Sequence, residues 1–158
     1  GIDLSHRAIQ TAKMHAGLDA LDIDYQIISA EAFSQANPAS FDVITCMELL
    51  EHVPDPNSLI EACFLLAKPQ ADLFFSTLNR NMKAFLGAIV GAEYVLNLLP
   101  KGTHTYEKFI QPAELCDAIR TAGGQVCHLE GLHYQPFNRK ASRSHDVSVN
   151  YLLHAKKR

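Results

Sequence analysis

The sequence lacks several features that would assign it to particular classes of protein. It has 14 Lys and Arg against 17 Asp and Glu, a net charge of -3, so it has no basic excess with which to hold a nucleic acid. Its four cysteines include no CxxC pair, which predicts reduced, mostly buried thiols in a cytoplasmic protein. No basic region followed by an apolar stretch opens the chain, so no secretory signal is expected. The longest apolar stretch, 84–99, contains two glycines, a Glu and an Asn and falls short of the roughly 20 residues that span a bilayer.

The 158 residues suit a single domain with a sizeable core. Apolar, β-branched runs alternate with segments of helical period, which predicts an α/β fold with a mostly parallel sheet. An antiparallel pair of strands is expected to close its edge, with a loop at 137–145 between them. The sequence therefore predicts strands at 1–3, 25–28, 41–46, 72–77, 126–132 and 147–154, and helices at 4–17, 57–67 and 112–122.

Polar residues follow three of the predicted parallel strands, at Asp3, at Met47-Glu48 and at 76–79. Ligands of open parallel sheets bind beyond the carboxyl ends of the strands, so a site is expected there. A carboxylate at the position of Asp3 can accept hydrogen bonds from the two ribose hydroxyls of a nucleoside. Asp3 could equally cap a helix or be a solvated loop carboxylate.

Glu48, Glu51 and His52 have the spacing i, i+3, i+4. On a helical turn these side chains share one face, and two carboxylates with an imidazole suit a divalent cation. The alternative is a solvated helix face. His104, His133 and His154 are isolated histidines that could serve as a general base near neutral pH or have a loop or packing role.

Several segments are more specific than these patterns, and together they resemble one family. They are CMELLEHVPDP at 46–56, STLNRN at 76–81, VGAEY at 90–94, PKGTH at 100–104, KFIQPAEL at 108–115, GLHYQP at 131–136 and VNYLLHAKK at 149–157. The chain is similar in these segments to the ubiquinone-biosynthesis O-methyltransferases, which methylate polyprenylated hydroxyphenols. The resemblance implies a Rossmann-like class I methyltransferase sheet that uses S-adenosylmethionine and extends over residues 1–157.

The resemblance also implies roles for individual residues. It places Asp3, Ala30, Glu31 and Met47 at the cofactor, and Glu48, Glu51 and His52 as ligands of Mg²⁺ or another divalent cation, which could lower the pKa of the phenol. His104 and His133 are the candidate general bases. Residues 79–104 would form an inserted lid that contacts membrane lipid. Because the isoprenoid tail resides in the bilayer, the enzyme is expected at the cytoplasmic face of the inner membrane, on anionic lipid, with other ubiquinone-biosynthesis enzymes as further candidate partners.

Two departures from the family pattern lead to further expectations. The chain begins after the family's first strand and glycine-rich loop, so we expect it to be the C-terminal two-thirds of the enzyme and to bind the cofactor poorly by itself. Gln70-Ala71 stands where the family has Gly-Gly, so Gln70 must take a strained left-handed conformation or the turn must change shape. Two other functions stay open: another class I methyltransferase of small phenols or lipids, and a non-catalytic remnant or lipid-binding fragment.

Overall fold

The computed structural model describes residues 1–81, 106–135 and 140–158, with the backbone alone at 134 and 135. Four helices are described: α1 (His6–Leu18), α2 (Ala30–Ala36), α3 (Pro56–Leu66) and α4 (Pro112–Thr121), with a short 3-10 helix at Tyr106–Lys108. The strands are β1 (Ile2–Asp3), β2 (Gln26–Ile27), β3 (Phe41–Met47), β4 (Ala67–Leu78), β5 (Gly124–Gln135), β6 (Lys140–Ser144) and β7 (Asn150–Lys157). The predicted lid, except for residues 79–81, lies outside the described residues.

The strands form two sheets, a five-stranded sheet of order β3-β4-β7-β5-β6 and a parallel pair β1-β2. β3 and β4 are parallel, and β7 lies antiparallel between β4 and β5. This arrangement confirms the predicted α/β class and the antiparallel pairing of β5 with β7. A cavity of about 460 Å³ lies between the two sheets, lined by Ile2 of β1 and by Phe41 and residues 43–46 of β3 among others.

The predicted loop at 137–145 is wrong in part, because Lys140–Ser144 forms β6 and pairs with the end of β5. This strand is exposed along most of its length and has no apolar alternation that could reveal it. Charged side chains such as Lys140 and Arg143 are common on edge strands, where they discourage pairing with other chains.

The main core lies where α3 and α4 cover one face of the larger sheet. Leu73 and Phe75 of β4 and Leu153 of β7 are fully or almost fully buried. From the helices, Ile60 of α3 joins the same cluster, and Leu115 and Ile119 of α4 do so one turn apart. Because each of these helices buries one face in the core, its apolar residues recur at helical spacing, and this spacing predicts both helices.

Local capping fixes where the helices begin and end. The Ser5 Oγ accepts a hydrogen bond from the Ala8 N–H at 3.2 Å, which makes Ser5 the N-cap of α1. The helix continues to Leu18, one residue beyond the predicted end at Gly17, and the left-handed residue that follows is Ala20, with φ of 52°. Among the described residues, no helix combines the length and the apolar character needed to cross a membrane.

Candidate cofactor site

A pocket of about 460 Å³ lies at the carboxyl ends of β1 and β2. It brings together three of the predicted cofactor-binding residues: Asp3, Ala30 and Glu31. Its other lining residues come from β1, from the segment before α2 and from the segment that leads into α3: Ile2, Leu4, Ile28, Ser29, Leu49, Val53, Pro54, Asp55, Ser58 and Leu59. The pocket therefore joins segments that are far apart in the sequence.

Asp3 ends β1 and begins the turn into α1. Its Oδ1 accepts a hydrogen bond from the Ser5 N–H at 2.6 Å, which fixes the side chain by an Asx-type turn. The residue is exposed, so the carboxylate lies at the surface of the pocket. The N-cap of α1 is Ser5 rather than Asp3, so the placement of Asp3 is compatible with a ligand acceptor or with a solvated loop carboxylate.

Two helix N-termini border the same pocket. Ser29 is the N-cap of α2, and its Oγ accepts a hydrogen bond from the Ala32 N–H at 3.1 Å. Asp55 is the N-cap of α3, and its Oδ1 accepts from the Asn57 N–H at 3.0 Å. Both capping residues line the pocket. Asp3, Glu31 and Asp55 thus give the pocket carboxylate groups that complement a cationic ligand.

The expected helical turn at residues 48–52 is wrong. Glu48 has a left-handed backbone with φ of 48°, and residues 48–55 form a loop of turns and bends before α3 begins at Pro56. We call residues 48–55 the β3–α3 loop. Because the backbone is not helical, the spacing i, i+3, i+4 does not place Glu48, Glu51 and His52 on one face.

The three predicted metal ligands have different environments. Glu51 is 3% exposed, and its Oε2 accepts a hydrogen bond from the Thr77 Oγ1 at 2.7 Å. Glu48 and His52 are exposed. In the part of the chain that the structure describes, no three His, Cys, Asp or Glu residues form a group that could hold a metal ion. Within the same residues, the buried Glu51 Oε1 has no hydrogen-bond partner.

Met47 and His133 lie at the same end of the larger sheet, the end at which β3, β4 and β5 have their carboxyl termini. Met47 ends β3 and is 49% exposed, and it is not among the residues that line the pocket. β5 runs in the same direction as β4, since both are antiparallel to β7. His133 is exposed near the carboxyl end of β5, three strand spacings from β3 or about 14 Å across the sheet. Its role as a base stays a prediction, as does that of His104, which lies outside the described residues.

His154, the third isolated histidine, lies on β7. Its Nε2 is 2.7 Å from the Asp72 Oδ1, and its ring stacks on Phe74 with centroids 4.7 Å apart. The hydrogen bond with His154 and the nearby Lys156 ammonium hold the pKa of Asp72 below its ordinary value. Of the two roles predicted for His154, this environment supports the packing role within the sheet.

The four cysteines are free thiols. Cys46 and Cys63 are buried, whereas Cys116 is half-buried and Cys127 is exposed, so the prediction of mostly buried thiols holds for only two of the four. The thiols of Cys46 on β3 and Cys63 on α3 are hydrogen-bonded to each other, which lowers the pKa of Cys46 and, together with burial, raises that of Cys63.

Burial raises the pKa of the Tyr151 hydroxyl. This hydroxyl donates a hydrogen bond to the Ile110 carbonyl at 2.9 Å, so Tyr151 is a structural donor rather than a base.

Sequence reasoning missed some of the residues that build the pocket. Ser29, Val53, Pro54 and Asp55 all line it, and none was predicted as a site residue. The signal for two of them was present in the sequence, because Ser before a short helical segment and Asp before Pro are both typical of helix N-termini. Val53 and Pro54 carry no comparable signal.

Comparison with known proteins identifies the class of fold. The family model described as "Methyltransferase domain" matches residues 1–129. A methyltransferase from Methanosarcina mazei superposes with a TM-score of 0.68 at 18% identity, covering 99% of this chain and 80% of the other. Magnesium protoporphyrin IX methyltransferase from Synechocystis, solved with bound S-adenosylhomocysteine, gives 0.66 at 15% identity, covering 100% and 63%. The fold is that of the class I S-adenosylmethionine-dependent methyltransferases.

Curated relatives narrow this class to one family. The ubiquinone biosynthesis O-methyltransferase of an Azoarcus species is 54% identical over 157 residues, 99% of this chain and 67% of the relative. That of Ralstonia nicotianae is 53% identical and covers 97% of this chain and 64% of the relative. The chain belongs to the family of ubiquinone biosynthesis O-methyltransferases, and it spans about two-thirds of the length of these relatives.

Proposed function

We propose that the protein transfers a methyl group from S-adenosylmethionine to a phenol oxygen of a polyprenylated hydroxyphenol or catechol in ubiquinone biosynthesis. The observation that carries this proposal is the pocket at the carboxyl ends of β1 and β2, which gathers Asp3, Ala30 and Glu31. The relatives at above 50% identity, named for ubiquinone biosynthesis, support the substrate class.

In this proposal the pocket holds the nucleoside part of the cofactor. Asp3 accepts hydrogen bonds from the ribose hydroxyls, since an ionised acceptor facing a vicinal diol makes short, directional bonds. Ala30 and Glu31 border the adenosine at the start of α2, and Met47 contacts the cofactor from the end of β3. The carboxylates of Asp3, Glu31 and Asp55 also favour a ligand that carries a sulfonium cation.

Methyl transfer to a phenol oxygen is an in-line displacement. The protein must hold the phenol oxygen close to the methyl carbon and keep water out, which supplies much of the rate enhancement in reactions of this kind. The phenol attacks better when it is ionised, so a base near the oxygen is useful. His133 and His104 are proposed for this role.

A divalent cation is a finer part of the proposal. Although the described residues contain no group of three metal-binding side chains, Mg²⁺ commonly binds through only one or two carboxylates together with water. Within the described residues, the unpartnered and buried Glu51 Oε1 fits such an ion, with Glu48 and His52 as the neighbouring donors. A cation bound there would lower the pKa of a catechol hydroxyl.

Binding of Mn²⁺, followed by electron paramagnetic resonance without substrate, tests the cation separately from activity. Glu51→Gln should weaken Mn²⁺ binding at least tenfold, while Glu61→Gln on the exposed side of α3 should leave it unchanged. Equal Mn²⁺ affinity in wild type and Glu51→Gln would remove Glu51 from the cation site.

The substrate's tail places the reaction at a membrane. A polyprenyl chain partitions into the bilayer, so the protein must reach the phenol head group at its surface, at the cytoplasmic face of the inner membrane. We propose that residues 79–104 make this contact on anionic lipid, because the sequence places Arg80, Lys83 and Lys101 on either side of an apolar stretch. Other ubiquinone-biosynthesis enzymes are further candidate partners.

Replacement of Asp3 by Asn tests the proposed function in the protein extended at its N-terminus by the family's first strand and glycine-rich loop. Asn keeps an acceptor for the Ser5 N–H but loses the charge that favours the ribose hydroxyls, so the KM for S-adenosylmethionine should rise about tenfold, the equivalent of about 1.4 kcal/mol. Asp22→Asn, at an exposed position between α1 and β2, is the matched control. The assay follows transfer of a labelled methyl group to a short-chain prenyl catechol.

Two results would contradict the proposal. An unchanged KM in Asp3→Asn would remove Asp3 from the cofactor site. Methylation of simple phenols at a kcat/KM equal to that for prenylated ones would mean that the isoprenoid tail is not recognised, and would favour a more general small-molecule methyltransferase.

A further inference from the structure

The carboxyl end of β4 holds the β3–α3 loop by two hydroxyl groups. Ser76 is 3% exposed and Thr77 is completely buried. Their hydroxyl groups therefore lie inside the fold, where a polar group without a hydrogen-bond partner is unfavourable. Their partners lie not on β4 but on residues 48 and 51, which follow the neighbouring strand.

Ser76 fixes the start of the loop. Its Oγ accepts a hydrogen bond from the Glu48 N–H at 2.9 Å, and its carbonyl oxygen lies 3.1 Å from the same nitrogen. Glu48 has a φ of 48°, a conformation that is unfavourable for a residue with a side chain and persists only where its surroundings impose it. The two acceptors of Ser76 supply such a constraint.

Thr77 fixes the middle of the loop. Its Oγ1 donates to the Glu51 Oε2 at 2.7 Å, across 26 residues of sequence. A carboxyl group at 3% exposure has little access to solvent water, and a buried polar atom without a partner is unfavourable. The position of Glu51 therefore depends on this contact.

The loop held in this way forms one wall of the cofactor pocket. Leu49, Val53, Pro54 and Asp55 line the pocket, and all four lie within or immediately after the segment from Glu48 to Glu51. Ser76 and Thr77 themselves are not among its lining residues. A change at either hydroxyl can therefore reach the pocket only through the loop.

We propose that Ser76 and Thr77 are positioning residues that set the β3–α3 loop in the conformation that binds the cofactor. The inference rests on the proposed function, since it takes the pocket to be the site of S-adenosylmethionine. It adds that the affinity of this site is determined partly by a buried hydrogen-bond pair on a strand that does not touch the pocket.

Thr77→Val and Ser76→Ala remove these hydroxyls with little change in volume. In the protein extended at its N-terminus by the family's first strand and glycine-rich loop, we expect each to weaken binding of S-adenosylhomocysteine about tenfold by calorimetry, since a lost bond to a buried or strained group commonly has an effect of this size. The KM for S-adenosylmethionine should rise in parallel, with kcat changed less than threefold. Thr77→Ser keeps the hydroxyl and should restore affinity, and Thr121→Val, exposed at the end of α4, is the control.

Amide hydrogen exchange provides a readout that needs neither ligand nor activity. In Thr77→Val and Ser76→Ala the amides of residues 48–53 should exchange at least tenfold faster, whereas those in the middle of β4 and β7 should not change. Unchanged exchange of residues 48–53 in both variants would overturn the inference, even if the protein proved not to be a methyltransferase. So would a Thr77→Ser variant that binds as weakly as Thr77→Val. Should Thr77→Val fail to fold, Ser76→Ala decides by the same measurements.

Discussion

Replacing Gln70 by Gly should stabilise the protein. Gln70 has φ of 66° and lies where the pairing of β3 with β4 shifts register, between the pairs Phe41–Ala67 and Val43–Asp72. A side chain in the left-handed region costs about 1–2 kcal/mol, while the greater freedom of glycine in the unfolded chain offsets about 0.5–1 kcal/mol of that gain. Since Gln70 is exposed, little packing is lost, and the net stabilisation should be about 0.5–1 kcal/mol.

Thermal and urea unfolding followed by circular dichroism measure this change. For a chain of this size the gain corresponds to a rise in Tm of about 1–4 °C. Gln70→Ala is the matched control, because it removes the same side chain but keeps the Cβ that makes the left-handed conformation unfavourable. If Gln70→Gly is no more stable than Gln70→Ala, the strain at residue 70 does not contribute to the free energy of unfolding, and the reasoning from φ is refuted.

The remaining predictions concern glycines and acid stability. Gly131→Ala should destabilise the protein by about 3 kcal/mol or more in urea unfolding, because a Cβ would lie 1.9 Å from the Asp146 carbonyl oxygen; a cost below 1 kcal/mol would contradict this. Gly17→Ala, inside α1 with nothing within 4 Å of the added Cβ, should instead stabilise by up to about 1 kcal/mol in the same assay. Asp72 has a lowered pKa through His154 and Lys156, so it stabilises the fold above its unfolded pKa of about 3.9 and loses this contribution as the pH falls below that value. The stability difference between wild type and Asp72→Asn should therefore shrink from pH 5 to pH 3, and a constant difference would contradict the linkage.

The larger elements were predictable from sequence because burial gives them a clear apolar period. β4 and α3 carry runs of buried residues, and α4 buries Leu115 and Ile119 four positions apart. α2 and β6 escaped prediction for the opposite reason. The only buried residue of α2 is Ser34, and none of β6 is buried, so neither has an apolar stripe to detect.

The sequence predicts where the candidate site lies in the fold, but it predicts only part of the set of residues that line it. Polar residues after strands indicate the carboxyl edge of a parallel sheet, and Asp3, Ala30 and Glu31 do line one pocket there. The resemblance to a family contributed Ala30 and Glu31, which the spacing of residues alone did not single out. The general bases and the lid stay predictions, because His104 and most of 79–104 lie outside the described residues.

The β3–α3 loop shows why spacing alone did not predict the backbone conformation of residues 48–52. The rule that i, i+3 and i+4 share a face holds only for a helical backbone, and the left-handed Glu48 ends that possibility at the first of the three residues. The buried Glu51 is bonded instead to Thr77, 26 positions away, a contact that no local pattern encodes. His52, its neighbour in sequence, is exposed. Because the position of this carboxylate depends on a hydrogen bond from β4, we expect the proposed cofactor pocket to respond to changes at the carboxyl end of that strand, although β4 itself does not line the pocket.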